Sequence, residues 1–222
     1  MPDLFTSMPN LRHASHPLLA GKRVILVGVS AVLHDDKAYY FEVTGPRHWG
    51  QRPDGTRVVG VGGIGGRIES GETPLACLRR EVREELGIGY RLEDPEGTAL
   101  VHDGEFMGWL SLPDSEGVPS PYILNLLPPQ IARPDMPDHL AIVTFLGRLR
   151  GKPGRGDLFG LLAVAHSGIR MFFERAEWVW DDASGHPDLL FDLTSSLPQG
   201  SILRPTLTGR AFQVLLNHTA SR

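Results

Sequence analysis

Long apolar runs and short amphipathic ones divide this chain, and the long runs come first. Arg23 to Leu33 (RVILVGVSAVL) is almost continuously apolar and rich in β-branched residues, which predicts a strand buried on both faces. His34 to Lys37 reads as a turn, and Ala38 to Thr44 (AYYFEVT) as a second strand. A polar loop from Gly45 to Thr56 follows. Val58 to Val61 predicts a third strand that runs into the cluster Gly62-Gly63-Ile64-Gly65-Gly66. The period then becomes helical: Leu75, Leu78, Val82 and Leu86 fall on one stripe that should pack on the sheet. Thr73 suits the cap of that helix, Pro74 its first turn and Gly87 its end.

Residues 91–140 carry eight prolines and weak strand signals, including Tyr122 to Leu127, and are expected to form an inserted binding loop or lid. Ala141 to Leu149 predicts another buried strand. Asp157 to Ala165 fits strand or helix, and Thr208 to Asn217 reads as a closing helix. Residues 1 to about 21 read as a loose leader. There are no internal repeats.

Composition narrows the functional classes. With 222 residues, 41% of them apolar, the chain suits one domain with an appendage. The formal net charge of −4 supplies no global basic field, so no nucleic-acid partner is expected, and a small anion must be gripped locally. The single cysteine, Cys77, allows no internal disulfide and suggests a reducing compartment. No run approaches the ~18–20 apolar residues that span a bilayer. A cytoplasmic protein without a membrane partner is the expectation.

Chemistry is concentrated in Gly66 to Ile88, GRIESGETPLACLRREVREELGI. Glu81, Glu84 and Glu85 stand at i, i+3 and i+4, so their carboxylates share a helical face. Three like charges there weaken an isolated helix unless a cation sits among them, and clustered hard oxygen donors suit Mg²⁺ or Mn²⁺. Arg80 can pair with Glu72 from the preceding loop, and the Gly65 carbonyl is a further candidate metal ligand. Mixed charges on a helix usually form only a solvated face. The glycine and glutamate upstream, at fixed intervals, argue against that here.

The segment matches the Nudix box completely: Gly66, five residues, Glu72, seven residues, Arg80-Glu81, Val82, one residue, Glu84-Glu85, one residue, Gly87 and Ile88. On these residues the chain resembles the Nudix superfamily. The resemblance implies an α/β fold, an α/β/α sandwich with a mixed β-sheet, over residues 22–182 with the proline-rich insertion at about 91–138. Residues 183–222 would be a C-terminal extension ending in a helix. It also implies a hydrolase that cuts a pyrophosphate bond in a nucleotide-like small molecule by metal-activated water. Glu81, Glu84 and Arg80 would be catalytic; Gly65, Glu81, Glu84 and Glu85 would hold metal; Gly66, Glu72 and Gly87 would be structural. Relatives often form homodimers. One departure is Ile64, where many members have proline.

Other residues make weaker claims. Cys77 reads as a small buried hydrophobe. Trp49 could stack on a base, with Arg47 or Arg52 on phosphate, and Arg67 beside the box glycine is a better phosphate contact. A base outside the box would come from Glu174 or Glu177, or from Glu105 or Glu116. The nine histidines show no ligand spacing. Segments that would mark NADH or coenzyme A pyrophosphatases are missing, and Asp103 stands where ADP-ribose hydrolases would carry proline, so the substrate stays open. A nucleotide-sensing module without catalysis is the alternative. An isomerase would need a catalytic cysteine opposite a glutamate, and Cys77 lies inside the box helix.

Overall fold

Leu4, Met8 and Leu11 recur at helical spacing, and in a computed structural model, which describes residues 2–113, 119–129 and 136–220, all three are buried. They belong to a short helix α1 (Leu4–Ser7) and a 3-10 turn (Pro9–His13). Asp3 caps α1 by accepting from the Thr6 N–H at 2.9 Å, and the Leu26 N–H donates to the Pro2 carbonyl at 3.0 Å. The leader is therefore packed, not loose. Its polar and proline-rich stretches hid three anchors that only the neighbouring strand could bury.

The strands are β1 (Val24–His34), β2 (Ala38–Val43), β3 (Gly50–Gln51), β4 (Arg57–Gly62), β5 (Ile64–Gly66), β6 (Tyr90–Leu92) and β7 (Thr98–His102), then β8 (Glu105–Leu110), β9 (Ile123–Leu127), β10 (His139–Leu149), β11 (Gly160–Ala165), β12 (Trp178–Val179), β13 (Leu189–Leu193) and β14 (Ile202–Pro205). The remaining helices are α2 (Pro74–Leu86), α3 (Ile169–Glu174), α4 (Trp180–Ser184) and α5 (Thr208–Ala220). Among the described residues the strands join one mixed sheet whose main path runs β12-β14-β4-β2-β1-β10-β9-β7-β8. β1 is central, parallel to β10 on one side and antiparallel to β2 on the other, which is why its sequence is apolar on both faces.

Two cores form, one on each face. α2 presses Cys77, Leu78, Val82 and Leu86 onto the first face, with Leu26 and Val29 of β1 and Val143 of β10. α3 and α5 press Phe172, Phe173 and Phe212 onto the second, with Phe41 and Val43 of β2. This is the expected α/β arrangement of helices on both sides of a mixed sheet. In the stretch 91–140, expected as an inserted loop or lid with weak strand signals, the described residues supply β7, β8 and β9, the last where Tyr122 to Leu127 signalled it, and so extend the sheet at one end. Asp157 to Ala165 resolves to the strand β11, which lies between β2 and β13. Residues 183–220 add β13, β14 and α5 to the same body.

One irregularity matters for function. The pairing of β1 with β10 slips between Leu26 and Gly28, leaving Val27 as an extra residue. Inward positions on the α2 face accordingly change from Val24 and Leu26 to Val29, Ala31 and Leu33. The bulge turns Val27 and Gly28 toward a cavity beside the box.

Candidate active site

The geometry begins with α2. The Thr73 hydroxyl accepts from the Ala76 N–H at 3.2 Å, and Gly87 ends the helix at φ 68°, with its N–H donating to the Arg83 carbonyl. At that end Gly154 and Asp157 also donate their N–H groups, to the carbonyls of Leu86 at 3.0 Å and Glu84 at 3.3 Å, so the loop after β10 satisfies bonds the helix terminus leaves open.

Arg80 organises the outer side of this helix. Its guanidinium grips Glu72 through two nitrogens, Nε at 3.1 Å and Nη2 at 3.2 Å, and Nη1 reaches Glu81 at 2.8 Å and Glu84 at 3.1 Å. The loop before the helix is thereby tied to it by a two-point ionic contact. Arg80 beside Glu72 holds that carboxyl below the usual carboxylate range.

The three box glutamates take different surroundings. Glu84 is half-exposed and faces Arg80. Glu81 lies against Gly66, where an added Cβ would stand 2.5 Å from its carboxyl carbon and closer still to one oxygen. Glu85 is 8% exposed and accepts from the Gly65 N–H at 2.9 Å. Gly65 itself has φ 146°, and a Cβ there would fall 2.5 Å from the Ser30 Cα. Only glycine fits that approach of β5 to β1. Burial pushes the Glu85 carboxyl up to about 9, reinforced by the charges of Glu42 and Glu81. Burial likewise raises Glu81, with the charges of Glu84 and Asp157 adding to the rise and Arg80 opposing it, and raises Glu42 on β2, with Glu81 and Asp157 adding and Arg47 opposing.

Behind these carboxylates lies a cavity of about 470 Å³. One part of its wall is polar and glycine-rich, with Glu42, Thr44, Gly65, Gly66 and Arg67. Another is aliphatic, with Val27, Leu127, Leu140, Ile142 and Leu207. Gly28 links them: a Cβ there would meet the Gly66 carbonyl at 3.2 Å and Ile142 at 3.9 Å. A NUDIX domain model matches residues 25–157, a span that includes Arg80 with its three glutamate partners and most of this wall.

The chain belongs to the NUDIX family. No curated protein matches the chain. Among solved structures it is similar to a NUDIX hydrolase from Nitrosomonas europaea, at 18% identity over 61% of this chain, with TM-score 0.34; it spans 66% of that chain, just under two thirds. It is also similar to an ADP-ribose pyrophosphatase from Streptococcus suis 89-1591, at 15% identity over 89% of this chain and 91% of that one, with TM-score 0.32. A third likeness is to a MutT NUDIX hydrolase from Burkholderia pseudomallei, at 15% identity over 88% of this chain and 98% of that one, with TM-score 0.32. Nothing about substrate follows from likenesses at this level.

NUDIX hydrolases generally use divalent metal. In the donor set around the box, Glu42, Glu81 and Glu85 are hard oxygen donors; the charges of Glu42 and Glu81 raise Glu85 and that of Glu81 raises Glu42, and such repulsion is what a divalent cation relieves, so the chemistry of the donors fits. Among the described residues, no three carboxylate, histidine or cysteine side chains converge as placed on one ion-sized point, and Arg80 supplies the positive charge between Glu81 and Glu84.

The remaining candidates scatter. Arg67 lines the cavity with its side chain exposed, and its carbonyl accepts from the Cys77 thiol at 3.4 Å. Cys77 is fully buried in the first core, and burial pushes its thiol up to about 12. Trp49 packs edge-on against Phe159, with its indole N–H donating to the Thr44 carbonyl at 2.7 Å, and it is not part of the cavity wall. Arg52 pairs with Glu177, which Arg204 also grips. Burial pushes the Glu177 carboxyl up, but the two guanidiniums outweigh this and hold it low. Glu174 is exposed at the end of α3, Glu105 is exposed at the start of β8, and Glu116 lies outside the described residues.

Sequence reasoning missed Glu42, Gly28 and the segment Thr206–Thr208. A lone carboxylate inside the apolar strand AYYFEVT was the available signal for Glu42. The other two carried none, because a bulge and a chain return brought them to the cavity.

Proposed function

We propose that this protein hydrolyses a pyrophosphate bond in a nucleoside diphosphate-linked compound with the help of Mg²⁺ or Mn²⁺. The observation that carries the reading is the folded box: Glu81 and Glu85 lie against Gly66 and Gly65, which line a 470 Å³ cavity, while Arg80 locks the preceding loop through Glu72. In this reading Glu81, Glu84 and Glu85, with the Gly65 carbonyl, would hold the metal, which would supply positive charge to the phosphate and lower the pKa of the attacking water.

The protein's own groups do the rest. Gly65 and Gly66, free of side chains, let the pyrophosphate approach the backbone, and Arg67 at the cavity rim pairs with a phosphate oxygen. Water forms a bond to one phosphorus as the bridging P–O bond breaks. Glu81, half-buried beside Gly66, takes the water's proton. Arg80 is a positioning residue whose guanidinium keeps Glu81 and Glu72 in register. We assign no proton transfer to Glu177, already held by two arginines, or to Glu174.

The test is phosphate-product release from a panel of nucleoside diphosphate compounds with Mg²⁺ or Mn²⁺, beside Glu81→Gln, Glu84→Gln and Glu85→Gln. Turnover of one compound that falls by about 10²-fold or more in Glu81→Gln and Glu85→Gln supports the proposal. Absence of metal-dependent turnover across the panel overturns it.

A further inference from the structure

Leu207 is out of place by every criterion of stability. It is 57% exposed, yet it is a large apolar residue, and its φ of 45° lies in the left-handed region that suits glycine. An L-residue held there persists only where its surroundings over-determine it, and such residues cluster at ligand sites. The surroundings here do fix it. The Thr206 N–H donates to the Val61 carbonyl at 2.9 Å, and the Leu207 carbonyl accepts from the Ala211 N–H at 2.9 Å in the first turn of α5. The Thr208 hydroxyl is buried, 2.7 Å from that of Ser30, which in turn contacts Thr144 at 3.0 Å. Thr208 also sits so tightly over Gly63 that a Cβ there would be 2.5 Å away. Strand β14, the Ser30–Thr144 pair and α5 thus clamp the residue from both sides.

The clamp places Leu207 in the cavity wall, with Val27, Leu127, Leu140 and Ile142 as its aliphatic company. Residues 206–208 lie outside the span 25–157 matched by the family model. The box glycines and Arg67 belong to the same cavity, and a substrate with its pyrophosphate at them must rest its other end elsewhere along that wall.

We infer that Leu207 is a specificity-determining residue: it closes the aliphatic part of the cavity over the base of a nucleoside diphosphate-linked substrate. The inference rests on the function proposed above for where the pyrophosphate sits. Aliphatic side chains accept a flat base by apolar contact alone, so discrimination should favour nucleoside-bearing compounds over bare pyrophosphate.

Calorimetric titration with ADP and with inorganic pyrophosphate, on the full chain, reads this without turnover. Wild type should bind ADP more tightly than pyrophosphate. Leu207→Ala should weaken ADP by about 5- to 20-fold, the worth of a few lost apolar carbons, and leave pyrophosphate within about twofold. Leu207→Gly should lose the same affinity yet be at least as stable as wild type to heat, because glycine accepts the left-handed φ. With a turned-over substrate, Leu207→Ala should raise KM and leave kcat unchanged. Unchanged ADP affinity in both variants overturns the inference, as does a parallel loss of both probes or a wild type with no preference for ADP. Failure of hydrolysis with this preference intact removes the reaction proposed above and leaves the wall assignment standing.

Discussion

Gly65 and Gly66 are neighbours, but methylating each should fail in a different way. At Gly65 a Cβ would press on rigid backbone, 2.5 Å from the Ser30 Cα, at φ 146°. The disallowed conformation costs about 1–3 kcal/mol and the overpacking about 1–3 more. For a chain of this length that is a fall in Tm of roughly 10 °C. At Gly66 the obstacle is the carboxyl end of Glu81, 2.5 Å from the Cβ at its carbon, and a side chain can swing aside. Moving it forfeits the 2.8 Å contact with Arg80, about 1 kcal/mol at most. If Glu81 acts as proposed, its displacement costs about 10²-fold in rate. Gly66→Ala should therefore fold almost normally and lose kcat, whereas Gly65→Ala should lose stability first. Thermal denaturation and metal-dependent hydrolysis, measured on both variants, separate the two. Full kcat in Gly66→Ala, or equal destabilisation by both, would refute the placement of Glu81 and its role.

Other outcomes follow from the same geometry. Glu85, pushed by burial from its ordinary 4.5 up to about 9, keeps its proton in the folded metal-free protein while the unfolded chain releases it near 4.5. Its contribution is thus complete below about 4.5 and lost as pH rises through about 9. Thermal melts in chelator should show that decline flattened in Glu85→Gln, and Mg²⁺ should raise the wild-type Tm more at alkaline than at acidic pH; parallel curves for the two proteins would discredit the assignment. Cys77, fully buried with its thiol up near 12, should resist iodoacetamide in the folded state. Cys77→Ala should keep full metal-dependent activity, and loss of metal response would refute its reading as a packing residue. Leu4→Ala should cost about 2–4 kcal/mol in urea denaturation, because Leu4 is fully buried; a change near zero would restore the loose leader.

Local chemistry made much of this protein legible. Helix α2 was readable to its caps because Thr73, Pro74 and Gly87 act through the backbone within one turn of themselves. The strands β1, β2, β4 and β10 were readable because an apolar run of that length has few other ways to be buried. The box spacing named its own chemistry, since residues three and four apart meet on any helix. Charge partners across a short loop, such as Arg80 and Glu72, lie within the same reach.

What the sequence left open depends on contacts between distant segments. The three strands of the proline-rich stretch looked irregular because short strands draw their stability from pairing partners, here β10 and one another. The parity change at Val27 has no signature in a continuous apolar run, yet it decides that Gly28 faces the cavity. Glu42 joins Glu81 and Glu85 only because β2 passes beneath the box, and burial, a property of the assembled fold, sets their proton affinities. Leu207 reaches the same cavity from the far end of the chain because β14 returns to pair with β4. Sequence determined which groups this protein has for the proposed chemistry; tertiary structure decided which of them come together and which are buried, because packing and desolvation belong to neighbours that chain order does not reveal.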